Sequence, residues 1–102
     1  MAIISTTLDT TATTIYQSTG ESVVTTLYFC NTSLATLTFN MYLVPAAGIA
    51  DISNIVYYNV QIAPSDTYVV DTEKIMLGAG DKIQANTSIA GQIVSTISYM
   101  GY

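Results

Sequence analysis

"TLTFNMYLV", residues 36–44, decides how the rest of the chain is read. Leu37, Phe39, Met41 and Leu43 alternate with Thr36, Thr38, Asn40 and Tyr42. Successive side chains of an extended chain leave opposite faces, so this order puts four apolar groups on one side and four polar or amphipathic ones on the other. A helix would need apolar residues at i, i+3, i+4 and i+7, and the segment offers no such stripe. It reads as a strand with one face toward a core and the other toward water.

The same period of two recurs outward in both directions. In "NIVYYNVQI", Val56, Tyr58, Val60 and Ile62 are expected to share the core face, with Tyr57, Asn59 and Gln61 opposite. In "SVVTTLYFCN" the expected inner set is Val23, Leu27 and Phe29 with Thr25 among them, and in "GQIVSTISYM" it is Ile93, Ile97 and Tyr99 with Ser95. Weaker strands are "IIST" near the start, "TTIYQ" at 13–17, "DTYVVD" at 66–71, "EKIML" at 73–77 and "KIQAN" at 82–86. Sixteen threonines and eight tyrosines, with many valines and isoleucines, favour a pleated surface and lose rotamer freedom in a helix. Turn chemistry separates the strands: Ser18-Thr19-Gly20, Asn31-Thr32-Ser33, Pro45-Ala46-Ala47-Gly48 opening a loop to Asn54, and Ala63-Pro64-Ser65-Asp66.

Eight or so short strands at this spacing predict an all-β chain, a single antiparallel β-sandwich over residues 1–102, for which jelly-roll and Ig-like strand orders fit equally. A chain of 102 residues is one domain, able to bury roughly 60–70% of its unfolded surface. The apolar, β-prone and uncharged residues 1–8 form an arm or an added strand.

The stretch "IMLGAGDKIQA", residues 75–85, is the nearest approach to a chemical motif. A phosphate loop needs glycines followed by a helix whose first amides face the anion. Here Ile83 and Ala85 alternate with Lys82 and Gln84, so a strand follows, and Gly78 and Gly80 are read as turn positions.

Composition narrows the function classes. Half the residues are hydrophobic and only 9% are charged, against about 25% in a typical domain. Such a chain is not disordered. No apolar run approaches the roughly 18 residues of a spanning helix, so no membrane span is expected. A lightly charged chain this apolar is expected to cover part of its surface with copies of itself or a partner. Net charge is −5, with Lys74 and Lys82 the only cations, which argues against nucleic acid and anionic membranes as partners. "MAIISTTLDT" lacks the basic and long apolar regions of a secretory signal, so folding in a cytoplasm is expected and the sequons at Asn31 and Asn86 are read as chance. Cys30 is alone and is read as a small packed hydrophobe.

With no histidine, Ser-His and Cys-His catalysis and the usual zinc sites are not available. The carboxylates are Asp9, Glu21, Asp51, Asp66, Asp71, Glu73 and Asp81, all in or beside expected turns, where such groups hold their own backbone. Asp71 and Glu73 could offer calcium a pair of ligands, but no EF-hand spacing accompanies them. No enzyme, cofactor or metal is expected. Tyr58 and Tyr99 fall on apolar faces. Tyr16, Tyr28, Tyr42, Tyr57, Tyr68 and Tyr102 are candidates for a contact surface, where stiff, polar-tipped rings are enriched. An aromatic strip could also stack on sugars, though no tryptophan and no Asp/Asn/Arg cluster accompanies it.

The run "LYFCNTSLATLTFNMYLVPAAG", followed by "NIVYYNVQIAPSDTYVVDTEKIMLGAGDKIQA", resembles small structural proteins of tailed bacteriophages. The shared pattern is a strand ending in "CN", a strand ending in "VP", an "I-Y-N" strand, then "P-D-T" and "EKI-L--GDKI-A", over roughly residues 22–100. The resemblance implies a β-sandwich made in the bacterial host cytoplasm and carried in the virion, most simply a head decoration (cement) protein on the capsid exterior. It would bind the major capsid protein as a homotrimer, with Ile3, Ile4, Tyr16, Tyr42, Tyr57 and Tyr102 as contact residues. Tail, baseplate and fibre components, and a glycan-binding module on a fibre, are the alternatives.

Overall fold

The computed structural model describes residues 2–70 and 75–101. Nine strands run in chain order: β1 (Ala2–Thr7), β2 (Thr13–Gln17), β3 (Ser22–Asn31), β4 (Leu37–Val44), β5 (Ile55–Ile62), β6 (Thr67–Val70), β7 (Ile75–Leu77), β8 (Lys82–Thr87) and β9 (Ile93–Gly101). One 3₁₀ turn, Ile52–Asn54, precedes β5. The strands form two antiparallel sheets. One is ordered β1-β9-β3-β6, with β7 pairing β3 beyond β6, and the other is ordered β2-β8-β4-β5.

This order settles the choice left open by the sequence. β1 pairs β9, β2 pairs β8, β3 pairs β6 and β7, and β4 pairs β5, so the chain is a long hairpin closed at β4–β5 and rolled into two sheets. That nested pairing, with consecutive strands crossing between sheets, is the jelly roll of two Greek keys. β6 and β7 share one role: Val70 lies opposite Leu27 and Ile75 opposite Val24, so together they line one edge of β3.

The core lies between the sheets. Phe29 of β3 and Phe39 of β4 stack across it with centroids 4.2 Å apart. Leu27, Ile93 and Ile97 from one sheet, and Leu37, Met41, Ile83 and Ala85 from the other, close around the pair. Leu37, Phe39 and Met41 are buried and Leu43 packs on the core, as the alternation of 36–44 requires. Ile93, Ser95, Ile97 and Tyr99 also share the inner face.

Elsewhere bulges reverse the parity. Asn59 sits at φ +51°, in the left-handed region that asparagine tolerates, and the β4–β5 register shifts between Phe39 and Met41. The extra residue turns Tyr57 inward and Tyr58 outward, against expectation: Tyr58 is 65% exposed, while Tyr57 packs beside Phe39 and Tyr68. The Asn40 carboxamide holds this bulge, its Oδ1 accepting the Asn59 amide at 2.7 Å while its Nδ2 donates to Asn86 Oδ1 at 2.8 Å. A second shift, between Val24 and Thr26, buries Val24 where Val23 was expected. A third, between Thr14 and Tyr16, lets neighbours Ile15 and Tyr16 both face inward.

Buried polar groups are paired. Tyr16 OH donates to Ser22 Oγ at 3.0 Å, and Ser18 Oγ lies 2.8 Å from the same hydroxyl. Asn31 is fully buried; its Nδ2 donates to the carbonyls of Ala35 (2.8 Å) and Ile62 (2.9 Å), and its Oδ1 accepts from Ser33 N and Oγ. It ties the end of β3 to the end of β5. Among the described residues no buried side-chain polar atom lacks a partner.

Residues 78–81 form a tight turn and no helix follows. Gly80 has φ +87°, and Asp81 N donates to Gly78 O at 3.1 Å. The Asp81 carboxylate accepts the amides of Gly78 and Ala46, each at 3.0 Å, pinning this turn to the loop after β4. A side chain at Gly80 would place its Cβ 2.9 Å from Ala46 Cβ. Glycine is there for backbone conformation and close approach, as its turn reading requires.

Candidate contact surfaces

Apart from the β3 bulge at Thr25, the outer face of the five-stranded sheet is built by alternation. In β9, Ile93, Ser95 and Ile97 point inward, which leaves Val94, Thr96, Ser98 and Met100 outside. Cross-strand pairing extends these positions into rows. One is Ser5, Thr96, Tyr28 and Val69; the next is Thr7, Val94, Cys30 and Thr67; another joins Met100, Val23 and Met76. Ile3, Tyr28, Val69, Met76 and Met100 are exposed. Among the described residues this face carries no charged side chain, although the chain carries nine. It is a flat field of hydroxyls, β-branched methyls and thioethers. Cys30 belongs to it, half-buried on the outside, because Phe29 takes the inward place beside it. The packing expected for its thiol is therefore lateral, between Val94 and Thr67.

The outer face of the four-stranded sheet is of another kind. Tyr42 lies across from Gln84, whose amide donates to Thr14 Oγ1 at 2.8 Å, and Asn40 and Asn86 occupy the next row. Amide groups dominate it: Asn40 and Asn86 are bonded to each other, and Gln84 to the Thr14 hydroxyl.

Where β5 and β7 border the open side of the sandwich, an apolar cleft of about 290 Å³ is lined by Met41, Leu43, Val56, Tyr57, Val70 and Ile75. A smaller hollow of about 210 Å³ adjoins it at Leu43 and Ile75 and includes Asp81. That carboxylate is already bonded to two backbone amides, so it brings no reactive group to the hollow.

The six contact residues expected from sequence do not form one surface. Ile3 stands on the outer face of the five-stranded sheet, 71% exposed, while Ile4 points inward against the core. Tyr16 is in the core, 8% exposed and packed on Tyr99 at 4.4 Å, because the β2 bulge turns it inward. Tyr42 is on the opposite sheet from Ile3, and Tyr57 lines the cleft. Tyr102 lies outside the described residues, as do Asp71 and Glu73. Residues 2–7, expected as an arm or an added strand, pair with Val94–Tyr99 of the same chain. The residues that sequence reading missed are Val23, Val69, Met76, Thr96 and Met100. Their signal was an absence: no Lys, Arg, Asp or Glu occurs in residues 22–31 or 93–101.

The four described aspartates hold turns, Asp81 as above. Asp9 Oδ1 accepts Thr10 N at 2.7 Å, and Asp66 Oδ1 accepts Thr67 N at 2.8 Å. Asp51 caps the 3₁₀ turn, accepting Ser53 N at 2.6 Å while its own amide donates to Asn54 Oδ1. The Ser53 backbone and side-chain bonds hold the Asp51 carboxyl below the ordinary 3.8. Among the described residues no three His, Cys, Asp or Glu side chains gather around a metal-sized space, and no helix is long and apolar enough to cross a membrane.

No family model, no curated protein and no solved structure matches the chain.

Proposed function

We propose that this protein is a structural component of a tailed-phage virion, and that it decorates the capsid exterior by laying the outer face of its five-stranded sheet on the major capsid protein. The observation that carries the reading is that face: broad, regular, and without charge among the described residues of a chain whose net charge is −5. Water leaves such a surface at little electrostatic cost, because no ion has to be desolvated. Its tyrosine, methionines and valines supply apolar area, and its threonines and serines supply short, adaptable hydrogen bonds. Repeated over a shell lattice, contacts of modest strength act together when each copy bridges two capsid subunits.

The jelly roll serves viral coat domains and lectins alike, so the fold alone does not choose between a shell contact and a glycan contact. The surface favours the shell, because the amides around Tyr42 already have side-chain partners, Asn40 with Asn86 and Gln84 with the Thr14 hydroxyl, and do not converge on an empty site. The test is co-sedimentation with purified capsids of the parent phage. Tyr28→Lys and Val69→Lys, both on exposed positions, are expected to lower occupancy at least tenfold while leaving the fold intact. Occupancy equal to that of the parent protein would refute this docking face. Immunogold labelling confined to tails would move the proposed role to the tail or baseplate, and saturable binding to a glycan array would favour the fibre reading.

A further inference from the structure

We propose that two copies of this chain join edge to edge through β1, antiparallel about a two-fold axis that passes beside Ser5, so that their five-stranded sheets become one. The inference rests on the fold and is independent of the capsid reading.

Among the described residues the two sheets show four edges, of which two are bulged and a third is made of short strands. β2 carries a register shift between Thr14 and Tyr16. β5 carries the Asn59 bulge. The third edge is lined by β6 and β7, of four and three described residues. β1 is different. It ends its sheet, its six residues pair with β9 without a register shift, and "AIISTT" contains no charge, proline or glycine. Natural sheets protect their edges with charges, prolines, bulges or short strands, because a regular edge presents unpaired amides and carbonyls to any other strand. An edge with none of these devices is one that is covered.

The phase of the ladder says which groups are free. Leu8 N donates to Ile93 O at 2.8 Å. Alternate residues of an antiparallel strand bond the same neighbour, so Ala2, Ile4 and Thr6 turn their backbone groups to β9, while Ile3, Ser5 and Thr7 turn theirs outward. Placing Ser5 opposite Ser5 of the second copy sets Ile3 opposite Thr7 twice. All three outward residues are then satisfied, in three residue pairs that each exchange two backbone bonds. Ile4 falls opposite Thr6, which covers the rim of the core that Ile4 leaves half-exposed. No like charges meet, since Asp9 is the nearest acid in sequence and lies outside the strand. The outer row of Ile3, Ser5 and Thr7 is continuous with the uncharged sheet face, so a second copy doubles that face without interruption. The occupant is a second copy because this register pairs every free group with its own symmetry mate. The proposed two-fold pair differs from the homotrimer that the resemblance implies.

The test is multi-angle light scattering and sedimentation equilibrium on the full chain without capsids. The expected mass is twice the chain's 10.9 kDa. Ser5→Pro deletes an outward amide that β9 does not use, so the fold should survive. Its dimer dissociation constant should rise about tenfold or more, the effect of losing the two bonds of the central pair. Ser5→Lys and Ser5→Glu each place like charges opposite one another and should be monomeric alone, yet form a mixed dimer when combined. That rescue holds the proposal to account even where the proline variant fails to fold. A monomeric parent protein at high micromolar concentration, a trimer, or a dimer indifferent to all three substitutions would overturn it. None of these results depends on whether capsids are bound.

Discussion

Replacing Asn31 should cost this domain a large share of its stability, and in a pH-dependent way that no surface residue would produce. The side chain is fully buried, donates to the carbonyls of Ala35 and Ile62, and accepts from Ser33. Asn31→Ala leaves those groups without their partner. Water can reach Ala35 and Ser33 but not the buried contact with Ile62. An orphaned buried group costs about 1–3 kcal/mol. With the cavity included, we expect a loss of about 3 kcal/mol, against a total of about 5–15 kcal/mol for a domain of this size. Asn31→Asp should be worse at neutral pH, by about 1–2 kcal/mol more, because a carboxylate has no proton to offer two carbonyls and is desolvated besides. Burial raises the carboxyl of that variant in the folded state. The folded form then holds more protons than the unfolded one between the two titrations, so stability relative to the parent falls as pH rises from about 4 and recovers as pH is lowered. Urea unfolding followed by far-UV circular dichroism at several pH values measures both effects. A loss below about 0.5 kcal/mol for Asn31→Ala, the range of ordinary surface changes, or a pH-independent loss for Asn31→Asp, would refute the reasoning.

Other expectations concern the bulge, the glycine turn and the capped loop. Tyr57→Ala should lower stability by about 2–4 kcal/mol and Tyr58→Ala by no more than about 0.5 kcal/mol; the reverse order in urea titrations would mean that β5 has no parity change at Asn59. Gly80→Ala should cost about 1–3 kcal/mol, because it combines a positive φ with a 2.9 Å approach to Ala46, and an unchanged unfolding midpoint would contradict that geometry. The Asp51 carboxyl should titrate below 3.8 by carboxyl carbon NMR. Its pKa is lowered by folding, so the cap's contribution is present above the ordinary value and is lost as pH falls through the folded one; a midpoint at or above 3.8 would show the cap to be unformed.

The period of two in residues 36–44 was enough to find the fold class, and it placed Leu37, Phe39 and Met41 correctly. It failed where one residue was added to a strand. Parity carries no memory of a bulge, so Tyr57 and Tyr58 exchange roles beyond Asn59, and Val23 and Val24 exchange roles before Thr26. Asn59 was a usable mark, since asparagine inside a strand is one of the few residues at ease in the left-handed region. Thr25 was not, because threonine favours the regular strand that the bulge interrupts. Strand order was illegible for a different reason: Ile4 meets Ile97 across nearly the whole chain, and no local pattern encodes such a pairing. The proposed contact surface was hardest to see. Apart from Ile3 and Tyr28, the uncharged face is composed of Thr, Ser, Val, Met and Cys that are individually unremarkable and become a surface only when β9 sets them in register with β3 and β1.

The position of β9 has a consequence for how the molecule comes into being. The strand that separates β1 from β3 is made after both of them. Until residues 93–101 emerge, the first strand has nothing to lean on and one whole wall of the sandwich cannot be assembled, however long the earlier segments wait. That wall therefore forms in one closure that waits for β9, dominated by long-range pairings and correspondingly slow. A chain cut short by its final ten residues would be missing the middle of a sheet, and its β1 and β3 would be left with open flanks.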